Sequence, residues 1–176
     1  LRDDWGRSAG VHVSLAGWQR ATSLRPSAAP GHTGQEGLLM ATFEELYARA
    51  RAVVAPRRLS DDVEVGGVGA AVEAASGAIY TGICIDTACS MGFCAEHAAV
   101  AAMVTAGETG RIVRVVAVGW DGRIMAPCGR CREFMRQMDP ANTRTEVLIA
   151  PGRAVPLDDL LPFDWRVPSE PADLNA

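Results

Sequence analysis

The sequence predicts an α/β fold, a three-layer α/β/α sandwich around a mixed five-stranded sheet. Three observations point there. Segments with helical apolar spacing alternate with short β-rich runs between Thr42 and Leu161. One run, Arg111 to Trp120, holds Ile112, Val113, Val115, Val116 and Val118, the composition of a strand covered on both faces. The chain has 176 residues, 48% of them hydrophobic and 22% charged, enough for one domain with a real core.

Residues 1–39 stand apart. They are rich in Gly, Ser, Ala and Pro and carry no apolar period, so they are expected to form a disordered extension. His12 and His32 lie there without partner spacing and are read as solvated. Met40 precedes the first orderly segment and is a candidate start of the native chain. Thr42 with Glu45 makes a capping box. Phe43, Leu46, Tyr47, Ala50, Val53 and Val54 follow at helical spacing, and Pro56 stops the helix. Arg57 to Asp62 reads as a polar connection.

Val63 to Ala74 reads as the first strand, weakened by Gly66, Gly67 and Gly69, where a ligand or a neighbour is expected to come close. The turn Ala75-Ser76-Gly77 leads to a second strand, Ala78 to Ile85. Asp86 to Gly92 then runs into an alanine-rich helix, Ala95 to Ala106, closed by Gly107. Arg111 to Trp120 is the third strand. Asp121-Gly122 turns the chain into a short fourth, Arg123 to Ala126. A helix from Cys128 to Met138 follows, then a fifth strand, Thr145 to Ala150, the turn Pro151-Gly152, and a short helix, Leu157 to Leu161. The domain is expected to span 40–165, with 166–176 a loose tail.

The chemistry lies in two stretches. Gly92-Phe93-Cys94-Ala95-Glu96-His97 opens the alanine-rich helix, and Pro127-Cys128-Gly129-Arg130-Cys131-Arg132 opens the next. Thiolate, not thiol, binds metal. A helix N-terminus favours that negative charge through its unpaired N–H groups and dipole. Cys128 and Cys131, three apart, share one face of a first turn. Two helix mouths facing each other would bring Cys94, Cys128 and Cys131 to one zinc ion, with a fourth position open for water. Glu96 is too close along the chain to Cys94 for a comfortable fourth ligand. It can lean over the open position, take a proton from water there and pass it on.

Three thiolates leave the site negative. The helix dipoles, a protonated His97, Arg130 or Arg132 could offset this. Other readings stay open: a structural four-cysteine site adding Cys89, a Cys-Gly-Arg-Cys redox pair, or plain buried thiols.

The order ligand-x-Glu followed by Pro-Cys-x-x-Cys is an established signature of zinc deaminases. Cys94-Ala95-Glu96 with Pro127-Cys128-Gly129-Arg130-Cys131 resembles the cytidine deaminase family, in its small three-thiolate branch. The resemblance runs from about Thr42 to Trp165. It implies zinc-dependent hydrolytic deamination of cytidine or deoxycytidine in pyrimidine salvage, with Glu96 as proton shuttle and a homotetramer as the assembly. It also implies backbone contact with the pyrimidine edge at Ala95.

The sugar-holding Asn-x-Glu of many relatives is matched here by Cys84-Ile85-Asp86. An Arg that often follows the Glu is His97. A Phe near Gly66 that touches the base is missing. Leu160-Leu161-Pro162-Phe163-Asp164-Trp165 is similar to the family's C-terminal Leu-Leu-Pro-x-x-Phe, whose aromatic meets a neighbouring subunit's substrate, so Trp165 takes that place. The altered Cys84 and Asp86 keep open a second substrate, an unusual cytosine nucleoside such as blasticidin S. A net charge of −4 argues against a nucleic-acid polymer as partner and for small nucleosides. With no apolar run long enough to span a membrane and clustered rather than evenly spread thiols, the cytoplasm is the expected location.

Overall fold

The computed structural model describes residues 41–163 and Trp165. The expected extension 1–39, with His12 and His32, Met40, and the expected tail 166–176 lie outside the described residues.

The order of elements is α1 (Phe43–Ala52), β1 (Arg57–Ser60), β2 (Val63–Ala74), β3 (Ile79–Thr87), α2 (Ala95–Thr105), β4 (Ile112–Gly119), β5 (Ile124–Met125), α3 (Gly129–Met138), a 3-10 turn (Pro140–Arg144), β6 (Glu146–Ala150), β7 (Arg153–Pro156) and α4 (Leu157–Leu160). The sheet has seven strands, not the five expected. The two additions are edge strands. β1 was expected to be a connection, and all four of its residues are exposed. β7 covers only Val155 in part. Neither shows the in–out alternation that marks a half-buried strand.

β2 is the most connected strand. β3 runs antiparallel along one of its edges. β1 pairs with Val63–Val65 on the other, and β4 with Val68–Ala74. β4 in turn pairs antiparallel with β5 and parallel with β6. The sheet is thus mixed and mostly antiparallel.

Helices cover both faces. Ala70, Val72, Ala74, Val115 and Ala117 pack with Ala95, Ala99, Val100 and Met103 of α2 and with Met135 of α3. The alternate residues Ala71, Val116 and Val118 pack with Leu46 and Ala50 of α1. β4 therefore buries both of its faces, as its valine run predicts. At about 25 cal/mol per Å2 of apolar area, such burial is the main term holding the layers together.

The ends of α1 follow their sequence signals. Thr42 caps it, with Oγ1 accepting from Glu45 N–H at 3.2 Å. The helix stops at Ala52, four residues before Pro56. The close approach expected near Gly66 comes from a neighbour. Gly66 has φ +75°, and a Cβ there would lie 2.4 Å from the Ala55 carbonyl oxygen. A second close approach fixes α2. A Cβ on Gly82 in β3 would lie 2.3 Å from the backbone nitrogen of Ala99.

Two buried polar groups brace the frame. Glu73 is fully buried in β2. It accepts from Ala41 N–H and from the Arg114 guanidinium of β4, both at 2.9 Å. Asn142 accepts from Ile112 N–H at 2.8 Å and donates to the carbonyls of Gly110 and Met135, each at 2.8 Å. It ties the end of α3 to the start of β4, and so sets where α3 lies against the sheet.

Candidate active site

Cys94 and Cys128 occupy matching positions. Each is the N-cap of its helix, in extended conformation, with no side-chain capping bond. The helix expected from Cys128 begins at Gly129, which puts Pro127 one residue outside the cap. A bridge between Ile85 and Phe93, with N···O distances of 2.9 and 3.0 Å, fastens the segment before Cys94 to the end of β3.

The two helix mouths meet. Cys94 Sγ lies 3.5 Å from Cys128 Sγ, and Cys128 Sγ lies 3.6 Å from Cys131 Sγ. Cys94 and Cys131 offer sulfurs within 4.8 Å of each other and of a ring nitrogen of His97. A tetrahedral ion with Zn–S bonds of about 2.3 Å holds its sulfurs about 3.8 Å apart, so the 3.5 and 3.6 Å spacings suit one zinc ion, and Cys94, His97 and Cys131 form a set whose ligand atoms could hold a metal ion. All three cysteines are free thiols. Cys89 stands apart. It is exposed, and its sulfur sits 3.8 Å from Thr87 Oγ1. The backbone at Met91 and the Thr87 hydroxyl hold its pKa below the usual thiol value.

Without a cation the thiols differ in acidity. Burial, then the hydrogen bond with Cys128, pushes Cys94 up to about 11. Burial, then the nearby Glu96 charge, pushes Cys131 up further. For Cys128 burial also acts upward, but N–H groups at Cys131 and Arg130 and the neighbouring thiols outweigh it and bring it down. That is the helix-mouth effect expected from the sequence at both helices; at Cys94, the other N-cap, burial overrides it. A bound cation would remove the penalty on the other two.

Glu96, in the first turn of α2, is 4% exposed. Burial raises its pKa. A carboxyl group so placed can hold a proton nearer to neutral pH than a solvated one, which suits a group that must both take and give one.

His97 places Nδ1 3.4 Å from Cys131 Sγ. Its ring stacks on Phe134, with centroids 4.2 Å apart and planes at 14°. Burial, then the Arg130 charge, lowers its pKa and favours the neutral ring. Phe134 is a site residue that sequence reasoning missed. Its spacing of three from Cys131 on the same helix face was the available signal.

The residues expected at the sugar are split. Cys84 is buried, accepts from Val68 N–H at 3.2 Å and donates to Asp86 Oδ2 at 3.3 Å. Asp86 is exposed and lines a hollow of about 290 Å3 with Arg57, Glu64 and Gly67. Ala95 is fully buried as the first residue of α2. Trp165 is 73% exposed, and its indole N–H donates to Glu133 Oε1 at 2.8 Å. A larger hollow of about 870 Å3 lies on the α1 side, lined by Phe43, Tyr47, Ile124 and Leu148 among others, and contains none of the motif residues.

No family model matches the chain. The chain is 32% identical over 96 residues to the cytidine deaminase of Mycobacterium tuberculosis, a match covering 54% of this chain and 69% of that protein. The crystal structure of cytidine deaminase from M. tuberculosis superposes with a TM-score of 0.60 at 27% identity, covering 71% of this chain and 98% of that one. The cytidine deaminase structure from Burkholderia pseudomallei gives a TM-score of 0.58 at 28% identity, covering 71% and 100%. With the layered sheet, the paired helix mouths and this degree of identity, the chain belongs to the cytidine deaminase family.

Proposed function

We propose that residues 40–165 form a zinc-dependent deaminase that converts cytidine and deoxycytidine to uridine and deoxyuridine, releasing ammonia, in pyrimidine salvage. The observation that carries this reading is the meeting of three sulfurs, at 3.5 and 3.6 Å, beside the buried carboxyl of Glu96. Cys94, Cys128 and Cys131 would hold the zinc. When bound there, it supplies Lewis acidity toward water.

The chain's own residues do the rest. The N-terminus of α2 presents Ala95 backbone to the pyrimidine edge. Glu96 takes a proton from the attacking water and gives it to the ring nitrogen beside the amino-bearing carbon. The water oxygen bonds to that carbon, the C–N bond breaks, and the amino group leaves as ammonia with a second proton passed through Glu96. The burial that lifts the Glu96 pKa supports both halves of this shuttle.

Asp86 is the group available to a sugar hydroxyl. Cys84 is engaged with Val68 and Asp86 and offers no amide in place of the family's Asn. That observation favours a second reading of the substrate, a cytosine nucleoside with an altered sugar such as blasticidin S. The exposed indole of Trp165 supports a homotetramer in which it reaches a neighbouring subunit's substrate. Free thiols at the site suit a reducing cytoplasm.

An ammonia-release panel over cytidine, deoxycytidine, cytosine and blasticidin S tests the assignment. Turnover of cytidine and deoxycytidine above the others is expected. Turnover of blasticidin S alone would move the assignment to the second reading, and no release from any of them would end it.

A further inference from the structure

We infer that His97 is a positioning residue of the metal centre. Its Nδ1–H donates to the Cys131 sulfur and draws charge away from the three-thiolate set. The inference rests on the proposed zinc site and addresses what that site leaves unbalanced. Three thiolates around one divalent cation carry a net charge of −1, which weakens the cation as a Lewis acid. The residue after Glu96 is His97, so no permanently charged side chain stands at that position.

The other side-chain candidates are turned to backbone carbonyls. Arg132 gives Nε to the Pro127 carbonyl at 2.7 Å and a terminal nitrogen to that of Leu160 at 3.0 Å. Arg130 gives a terminal nitrogen to the Gly92 carbonyl at 3.2 Å. His97 instead sets a ring nitrogen 3.4 Å from the Cys131 sulfur.

The geometry is held from two sides. His97 lies in the first turn of α2, three residues after Cys94. Phe134 lies one turn beyond Cys131 on α3, and its ring stacks on the imidazole at 4.2 Å. The stack fixes the ring plane, and the sulfur fixes which nitrogen carries the proton, since a thiolate only accepts. A neutral imidazole suffices. An N–H···S bond to a metal-bound thiolate lowers the charge the sulfur passes to the metal, as outer-shell partners commonly do.

The test uses the full chain loaded with cobalt(II) in place of zinc, because the thiolate-to-cobalt charge-transfer band reads the charge on sulfur directly. His97→Phe keeps an aromatic ring against Phe134 and removes the donor. His97→Asn keeps a donor at the Nδ1 position, whereas His97→Gln moves it one bond further out. His97→Phe and His97→Gln are expected to bind metal at wild-type stoichiometry and shift the band to lower energy. They should lower kcat by about 10–100-fold, with KM within about two-fold of wild type. His97→Asn is expected to return the band toward wild type. The pair of polar variants keeps the test alive if His97→Phe does not fold. A band unmoved in His97→Phe or His97→Gln with metal bound overturns the inference. Wild-type protein that takes up no stoichiometric metal would instead sink the zinc reading beneath it.

Discussion

Gly82→Ala puts one methyl group between β3 and α2, and its effect can be worked from the packing. The new Cβ would stand 2.3 Å from the Ala99 nitrogen and 2.6 Å from both the carbonyl carbon and the Cβ of Ala98. Carbon-scale contacts settle near 3.5 Å, so helix and strand must part by about 1.2 Å. The obstacle is helix backbone, which cannot rotate out of the way as a flexible side chain can. Overpacking of this kind costs about 1–3 kcal/mol.

Activity should suffer more than stability. α2 carries Cys94 at its cap and Glu96 and His97 in its first turn, while Cys128 and Cys131 ride on α3. Displacing one helix by about an ångström breaks the match between the two mouths, and misplacement on that scale costs about 100-fold in rate. Urea unfolding gives the stability change, with the slope checked for constancy. Ammonia release gives kcat/KM. A variant within about 0.5 kcal/mol of wild type and with unchanged turnover would refute the reasoning, because that is the range of a substitution that touches nothing important.

Other perturbations separate the remaining claims. Glu96→Gln is nearly isosteric at a buried position, so the protein should fold and load zinc, yet lose about 10²–10⁴-fold in kcat; unchanged turnover would remove the shuttle role. Zinc affinity should rise with pH, because Cys94, at about 11, and the still higher Cys131 hold their protons in the metal-free chain and must release them on binding. Each proton displaced contributes about tenfold per pH unit, measurable by chelator competition at pH 6 and 7, and a flat profile would count against thiol ligands. Arg114→Ala leaves the Glu73 carboxylate buried without its cation and should cost about 3–5 kcal/mol in urea unfolding. The double variant Glu73→Gln, Arg114→Met should recover more than half of that loss.

The metal-site stretches were legible in the sequence because their signals are local. Cys128 and Cys131 sit three apart on one helix face, and both helix mouths are announced by strong formers or proline nearby. The two-sided burial of β4 was written in its valines. β1 and β7 were not legible, because an edge strand whose residues face water carries no alternation, and Arg57-Arg58-Leu59-Ser60 reads as a connection. The contact of His97 with Cys131 joins residues 34 apart in the chain, and its cause lies in how α2 and α3 are set on the sheet. The Glu73–Arg114–Ala41 brace is hidden for the same reason, since nothing local distinguishes a glutamate that will be fully buried from one on the surface. The glycine-rich start of β2 was read as a place of close approach, but only coordinates could say that Ala55 meets Gly66 and that Ala50 of α1 meets Gly69.

β4 has no solvent side, and this gives the domain a single keel. Val115 and Ala117 support the layer that bears the cysteines, while Val116 and Val118, between and beside them, support the layer with Leu46. A designer who trims Leu46 to reshape the far side tugs on the same eight residues that steady the sulfurs. Remote softening there will surface as slower chemistry, even though no altered atom lies near the reacting carbon.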